Sequence, residues 1–116
     1  MFEKRDMQRL ETIFEKIVYI DEVVQNYKNV VSALEDEKMA KPAILMHFIG
    51  IAEQFSKLKD EKLIQNFSED IKGAMSIRNF IAHDYDGVNL VIIEKTIKEI
   101  LPDLKNRIEK ILKGEK

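Results

Sequence analysis

The sequence predicts an all-α protein, an up-and-down bundle of four main helices whose last member is kinked or divided. Apolar residues recur at spacings of three and four along most of the chain, whereas no convincing period-two alternation of a β-strand occurs. Glycine and proline are scarce, 4 and 2 among 116 residues, so few positions interrupt a helix. The length suits one core and the composition shows no linker, so we expect a single domain over residues 1–116.

The first half of the chain is predicted to supply two long helices. The first spans residues 3 to about 27, where one buried stripe follows the helical period. Residues 28–37 are predicted to connect it to the second helix, with room for one helical turn. That second helix begins either near Asp36, as a cap, or near Lys41, with a proline in its first turn, and runs to about Leu58.

The second half is predicted to contain the other two helices. Residues 60–67 form a loop or a short helix, and Ser68 is the predicted N-cap of the third helix. A turn follows at residues 85–87, after which Asn89 caps the fourth helix. Pro102 breaks or kinks this last helix, and its final piece ends at the last glycine of the chain.

Composition excludes several classes of protein. The chain has no cysteine, which rules out disulfides, thiolate metal sites and a cysteine nucleophile. His47 has no nearby carboxylate or cysteine in the sequence, so we interpret it as a histidine at the core edge, and we expect neither a metal nor a cofactor. No signal sequence or membrane span is visible, and a cytoplasmic location is the simplest expectation. The net charge of −2 means that any nucleic-acid contact must be local.

Residues 75–85 stand out because four polar groups of chemical interest crowd together there. Arg78 and His83 are five residues apart, which places them about 140° apart around a helix, so only the long arginine side chain could converge with the imidazole. Asn79 lies four residues before His83 and therefore on the same face. Tyr85 follows where the helix is predicted to end. An imidazole transfers protons near neutral pH and a guanidinium binds phosphate, so these residue types suit phosphodiester chemistry.

The other side of the same helix is predicted to be buried. Ile77, Phe80 and Ile81 form an apolar row that we expect to lie in the core. The polar set would then be displayed outward on a rigid support.

The spacing of these residues resembles a known signature. Arg78, His83 and Tyr85 match the RxxxxHxY motif of the HEPN superfamily, and the surrounding segment is similar to its HepT branch, toxins that are paired with minimal nucleotidyltransferases. Gly50 and Ala52 are similar to the GEA segment of that family's second helix, and residues 87–104 resemble its C-terminal part. The chain departs from the family pattern in two places, where Ile51 replaces the glutamate of GEA and Ile71 replaces a frequent tryptophan.

The resemblance implies a metal-independent endoribonuclease toxin that acts as a homodimer, with the signature helices of both subunits lining one cleft for RNA. By the same resemblance, Arg78 binds the scissile phosphate, His83 transfers protons as the ribose 2′-hydroxyl attacks, and Asn79 orients the substrate or the imidazole. The resemblance also implies that Tyr85 is the position to which a nucleotidyltransferase antitoxin can attach AMP. The alternative interpretations are a HEPN module that binds a nucleotidyltransferase or a nucleotide without catalysis, and a helical scaffold without a site.

Overall fold

Seven α-helices and one π-helical segment make up the protein in the computed structural model, which describes residues 2–114. In chain order they are α1 (Lys4–Gln25), α2 (Val30–Glu35), α3 (Ala40–Ser56), α4 (Glu61–Asn66), α5 (Ser68–His83), α6 (Leu90–Lys95), the π-helical segment (Thr96–Ile100) and α7 (Leu101–Leu112). No strand occurs across this described range, so the predicted all-α class is confirmed.

The four long helices, α1, α3, α5 and α7, form an open bundle. Helix α3 packs against both α1 and α5, and α7 packs on the other side against α1. By contrast, α5 and α7 are not closely packed against each other. The bundle therefore has one incompletely closed side, and the signature helix α5 forms one edge of it.

The helical period of the sequence explains the core. In α1 the side chains of Leu10, Ile13, Ile17 and Ile20 are fully buried, each about one helical turn after the one before. Each such burial contributes about 1.5–3 kcal/mol to folding. The end of the Lys16 side chain of α1 lies against Gly50 of α3: a Cβ atom at position 50 would be 2.5 Å from the Cε atom of Lys16, so that side chain would have to move.

The connections contain more helix than predicted. Residues 28–37 hold α2, whose start is capped by Asn29: its Oδ1 atom accepts a hydrogen bond from the Ser32 amide at 2.8 Å. Between residues 60 and 67 the structure has the short-helix alternative, α4, capped by the Asp60 carboxylate. Helix α3 begins at Ala40, in agreement with the alternative start near Lys41, and ends two residues before the predicted Leu58.

The predicted cap at Ser68 is wrong. Ser68 is the first residue of α5, and the preceding position is Phe67, whose side chain cannot accept a hydrogen bond. The reason is that α4 ends at Asn66, so Phe67 alone separates α4 from α5 and no loop intervenes. The Phe67 carbonyl accepts from the Ile71 amide at 2.8 Å and so begins the hydrogen-bond ladder of α5.

Pro102 divides the last helix without ending it. The proline has no N–H group to donate to the preceding turn. The turn before it widens into the π-helical segment, in which the Leu101 amide donates to the carbonyl of Thr96, five residues earlier. The prediction of a kinked or divided last helix is therefore confirmed, and the π-helical segment is how the division occurs.

A buried carboxylate ties α1 to the loop after α3. Asp6 is fully buried and accepts hydrogen bonds from the backbone amides of Lys59 and Asp60, at 3.1 and 2.8 Å, and from the Arg9 guanidinium at 2.7 Å. Burial by itself raises the pKa of Asp6, but the donors on Asp60, Lys59 and Arg9 outweigh it and hold that pKa below its ordinary value of 3.8. Asp6 is therefore an ionised structural anchor.

Candidate functional site

Helix α5 presents the predicted site residues to solvent because its other face is buried against α3. Ala74, Ile77 and Ile81 recur at helical spacing and are buried. Arg78 and His83 are consequently exposed, as the sequence predicts. The prediction for Phe80 is wrong: its side chain is 55% exposed and does not belong to the core.

His83 and Asn79 line a shallow groove on the outer surface of α5. The groove has a volume of about 380 Å³ and is completed by Ser76, Phe80 and Asp84. Asn79 and His83 are one helical turn apart, which is why they share this groove. Ser76 and Asp84 are not among the predicted site residues, although Ser76 is three residues before Asn79 and Asp84 directly follows His83.

Arg78 lies outside that groove. Its Nη1 atom donates to the Oδ1 atom of Asn79 at 3.5 Å, the upper limit of a hydrogen bond. This contact links the guanidinium to the groove through Asn79, whereas the backbone positions of Arg78 and His83 point to different flanks of the helix. The structure thus brings Asn79 and His83 together directly, and Arg78 only through Asn79.

The end of α5 is fixed by a turn that follows His83. The Gly87 amide donates to the Oδ1 atom of Asp84 at 3.0 Å and lies 3.1 Å from the Asp84 carbonyl oxygen. A Cβ atom at position 87 would collide with the Asp84 carboxylate. The turn predicted at residues 85–87 is present, and Gly87 is the residue that allows it to close.

Tyr85 contacts α3 and is separate from the groove. Its side chain is 40% exposed, and its ring lies 5.6 Å from the Nζ atom of Lys41, measured to the ring centroid. Lys41 is in the first turn of α3 and is only 6% exposed. The third residue of the RxxxxHxY set is therefore held by a cation from another helix, a contact that the sequence analysis did not anticipate.

The described part of the chain holds no cluster of three or more histidine, cysteine or acidic side chains that could bind a metal ion. His47 packs beside the ring of Tyr19, with centroids 5.5 Å apart. Burial lowers the pKa of His47 below its ordinary value of 6.5, and the charge of Lys16 lowers it further. This histidine is half-buried at the edge of the core, as predicted. No helix within residues 2–114 is long and apolar enough to cross a membrane.

A larger groove of about 480 Å³ occupies the gap between α5 and α7. Phe48, Ile51 and Phe55 of α3 contribute to its lining. Arg107 of α7 bridges the gap with two hydrogen bonds of 2.9 Å to the Asp70 carboxylate of α5. This groove lies beside the N-terminal half of α5, whereas the signature residues lie on the C-terminal half.

Comparison with known families identifies the family of this chain. A family model described as ribonuclease HepT-like matches residues 13–111. The chain belongs to this family. No curated protein and no solved structure gave a significant match. The HepT-like match includes α5 and the turn after it, so it covers the RxxxxHxY set as well as the helices that support it.

The structure shows the surroundings of the two positions at which this HepT-like chain departs from the family pattern. Ile51, where the resemblance leads us to expect glutamate, is 98% buried and lines the larger groove. Ile71, in place of tryptophan, is partly buried and packs against the core. Both positions contribute apolar packing in this protein, and neither lines the groove that contains His83.

Proposed function

We propose that this HepT-like protein is the toxin of a toxin–antitoxin pair and cleaves RNA as a metal-independent endoribonuclease. The observation that carries the proposal is the shared groove of Asn79 and His83, with the Arg78 guanidinium connected to it through Asn79. The ribonuclease HepT-like match supports RNA as the substrate class. The groove is open to solvent, so a polynucleotide can enter it along the surface of α5.

In the proposed reaction the ribose 2′-hydroxyl attacks the adjacent phosphorus. His83 transfers the proton, the bond from phosphorus to the 5′-oxygen breaks, and the leaving 5′-oxygen is protonated. The products are a cyclic phosphate and a free 5′-hydroxyl. Arg78 binds the phosphate as its charge grows, and Asn79 orients the imidazole or the substrate. Because the attacking group is the 2′-hydroxyl, DNA is not a substrate.

A second copy of the chain completes the site in this proposal. On one subunit Arg78 and His83 lie on different flanks of α5, and the groove is shallow and exposed. Packing of two signature helices would enclose the groove and bring a second set of these residues to the same cleft. Size-exclusion chromatography with light scattering tests this assembly, and a strictly monomeric protein that cleaves RNA would contradict it.

The decisive experiment compares the two histidines of the chain. We expect His83→Gln to lower the rate of RNA cleavage by about 10²–10⁴-fold, the contribution typical of a general acid–base group. His47→Gln is the matched control, because it makes the same chemical change outside the groove, and we expect cleavage to continue. Growth arrest on expression without the antitoxin should follow the same order. Full cleavage and toxicity with His83→Gln would refute the catalytic assignment.

Tyr85 is the proposed control point of the toxin. In the proposed modification the Tyr85 oxygen attacks the α-phosphorus of ATP, the new phosphorus–oxygen bond forms, and pyrophosphate leaves while the phenolic proton passes to solvent. The negative charge and bulk of the added group would repel the RNA backbone. Intact-mass analysis after co-expression with a cognate minimal nucleotidyltransferase tests this step. An unchanged mass, or an adenylyl group that maps to another residue, would count against it.

One observation favours a second candidate function, a HEPN module that binds a nucleotidyltransferase or a nucleotide without cutting RNA. Arg78 lies outside the groove that holds His83, and an arginine that stays there would not reach a phosphate beside the imidazole. Pure, unmodified protein that binds the nucleotidyltransferase tightly but leaves RNA intact would support this function over catalysis.

A further inference from the structure

Lys41 occupies a position that is unfavourable for a cation. It is 94% buried, and within residues 2–114 its Nζ atom makes no hydrogen bond. Its ion pair is with Glu37, at 3.8 Å, and that carboxylate is 80% exposed. Within residues 2–114 no fully enclosed side-chain nitrogen lacks a hydrogen-bond partner, so the Nζ atom keeps some contact with solvent while the carbon stem is covered. The exposed Glu37 does little to offset the partial loss of hydration.

The location of Lys41 within α3 adds to the cost. It is the second residue of a helix that contains 17 residues and has no acidic side chain in its first turn. The N-terminal end of a helix carries partial positive charge, which repels a cation. The Glu37 pair and the helix end therefore do little to favour a cation here.

The neighbour that does favour a cation is the ring of Tyr85. The Nζ atom of Lys41 lies 5.6 Å from the ring centroid, a distance at which a cation is attracted to an aromatic face. The contact holds Tyr85 against α3 while the side chain remains 40% exposed. The ammonium group is thus kept beside the one phenol of the RxxxxHxY set.

From this arrangement we propose that Lys41 is the receptor for a phosphate group carried on the Tyr85 oxygen. The four-carbon stem of lysine is flexible enough to move its ammonium group from the ring face to a phosphate bonded to the same ring. An anion there would give the ammonium group a closer partner than Glu37, which lies 3.8 Å away, so the modified tyrosine is held in one position. The inference rests on the proposed control function of Tyr85, and Lys41 is the residue that binds the modified side chain.

The main test introduces a phosphate on the residue at position 85 without an antitoxin. Phosphotyrosine is incorporated at position 85 by stop-codon suppression, in the unsubstituted chain and in chains with Lys41→Met or Lys41→Arg. We expect the phosphate to raise the Tm of the unsubstituted protein by about 4 °C or more relative to its effect with Lys41→Met. Lys41→Arg should keep most of the gain because it keeps the charge.

The matched control is Lys38→Met, which removes an exposed lysine three residues away. Its response to phosphotyrosine should equal that of the unsubstituted chain. Lys41→Met keeps the apolar stem, which is the covered part of the side chain, so the unmodified variant is expected to fold. Equal Tm shifts with and without Lys41→Met would overturn the inference.

Two further measurements separate this inference from the proposed function. After adenylylation by the nucleotidyltransferase, a phosphodiesterase should release AMP from the Lys41→Met protein about 10-fold faster than from the unsubstituted protein, the factor equivalent to about 1.4 kcal/mol. In one outcome the unsubstituted chain gains no adenylyl mass while its phosphotyrosine form still shows the Lys41-dependent shift in Tm. That result would contradict the proposed adenylylation of Tyr85 and would support Lys41 as the phosphate receptor. If Lys41→Met weakens RNA cleavage by unmodified protein more than twofold, Lys41 contacts the RNA phosphate and the assignment to Tyr85 is wrong.

Discussion

Replacing Asp6 should be among the most destabilising single changes in this protein. The side chain is fully buried and accepts hydrogen bonds from two backbone amides and from Arg9. Asp6→Ala leaves the amides of Lys59 and Asp60 without their acceptor and Arg9 without its carboxylate. Removing one member of a buried charged network costs about 3–5 kcal/mol of unfolding free energy. For a domain with a total stability of about 5–15 kcal/mol, this is a large fraction.

Asp6→Asn removes the charge of the side chain but keeps its shape. The amide oxygen can still accept from the backbone amides of Lys59 and Asp60, but the NH₂ group then faces the Arg9 guanidinium, and the charge is lost. We expect a loss of about 1.5–3 kcal/mol, measured by urea denaturation at pH 7. Glu3→Gln is the matched control, because it removes an exposed carboxylate just before α1 and should change stability by less than about 0.5 kcal/mol.

The difference in unfolding free energy between the unsubstituted protein and Asp6→Asn should change with pH in one direction. The pKa of Asp6 is lower in the folded protein than in the unfolded chain, so the unfolded chain binds the proton more readily. The stabilisation by Asp6 is therefore complete above the unfolded pKa of about 3.9 and is lost as the pH falls through the folded pKa. The gap in unfolding free energy between the unsubstituted protein and Asp6→Asn should shrink below about pH 4. A loss under about 1 kcal/mol for Asp6→Ala at pH 7, or a gap that widens in acid, would refute the reasoning.

Three smaller changes test other parts of the structure, each by urea denaturation. Arg107→Lys should lose about 1 kcal/mol, because lysine cannot make the paired hydrogen bonds to Asp70 and the site is partly exposed; an unchanged midpoint would mean that the bridge contributes nothing. Gly73→Ala should gain about 0.5–1 kcal/mol, since glycine is costly inside a helix and a Cβ atom there meets open space; a loss would show that the open space is filled in solution. Asn89→Ala should lose about 1 kcal/mol, because the Asn89 side chain accepts from the Val91 and Ile92 amides at the start of α6; Asn66→Ala, at an exposed position, is the control and should be neutral.

The exposure of Phe80 shows where a helical pattern stops being informative. Phe80 is three residues after Ile77, so by spacing alone it could extend the buried row. Its burial depends on whether another helix covers that flank of α5. Phe80 instead lines the outer groove with Asn79 and His83 and stays 55% exposed, whereas the gap between α5 and α7 is lined by other residues of α5.

The contacts of Tyr85 and Asp6 also lie beyond the reach of sequence reasoning. Tyr85 meets Lys41, and Asp6 meets the amides of Lys59 and Asp60, across long separations in the chain. Spacing rules relate residues within one helix, whereas these contacts are set by how α1, α3 and α5 are arranged in space.

The sequence by itself determined the helical class and the outward direction of Arg78, Asn79 and His83, because both follow from the local period of one helix. It also determined the family resemblance, which depends on the spacing of Arg78, His83 and Tyr85. Only the tertiary structure decided that Asn79 and His83 share a groove while Arg78 reaches it through Asn79, and that Tyr85 is held by a buried lysine. The physical reason is that local periodicity fixes where a side chain points, whereas packing between helices fixes what it meets there.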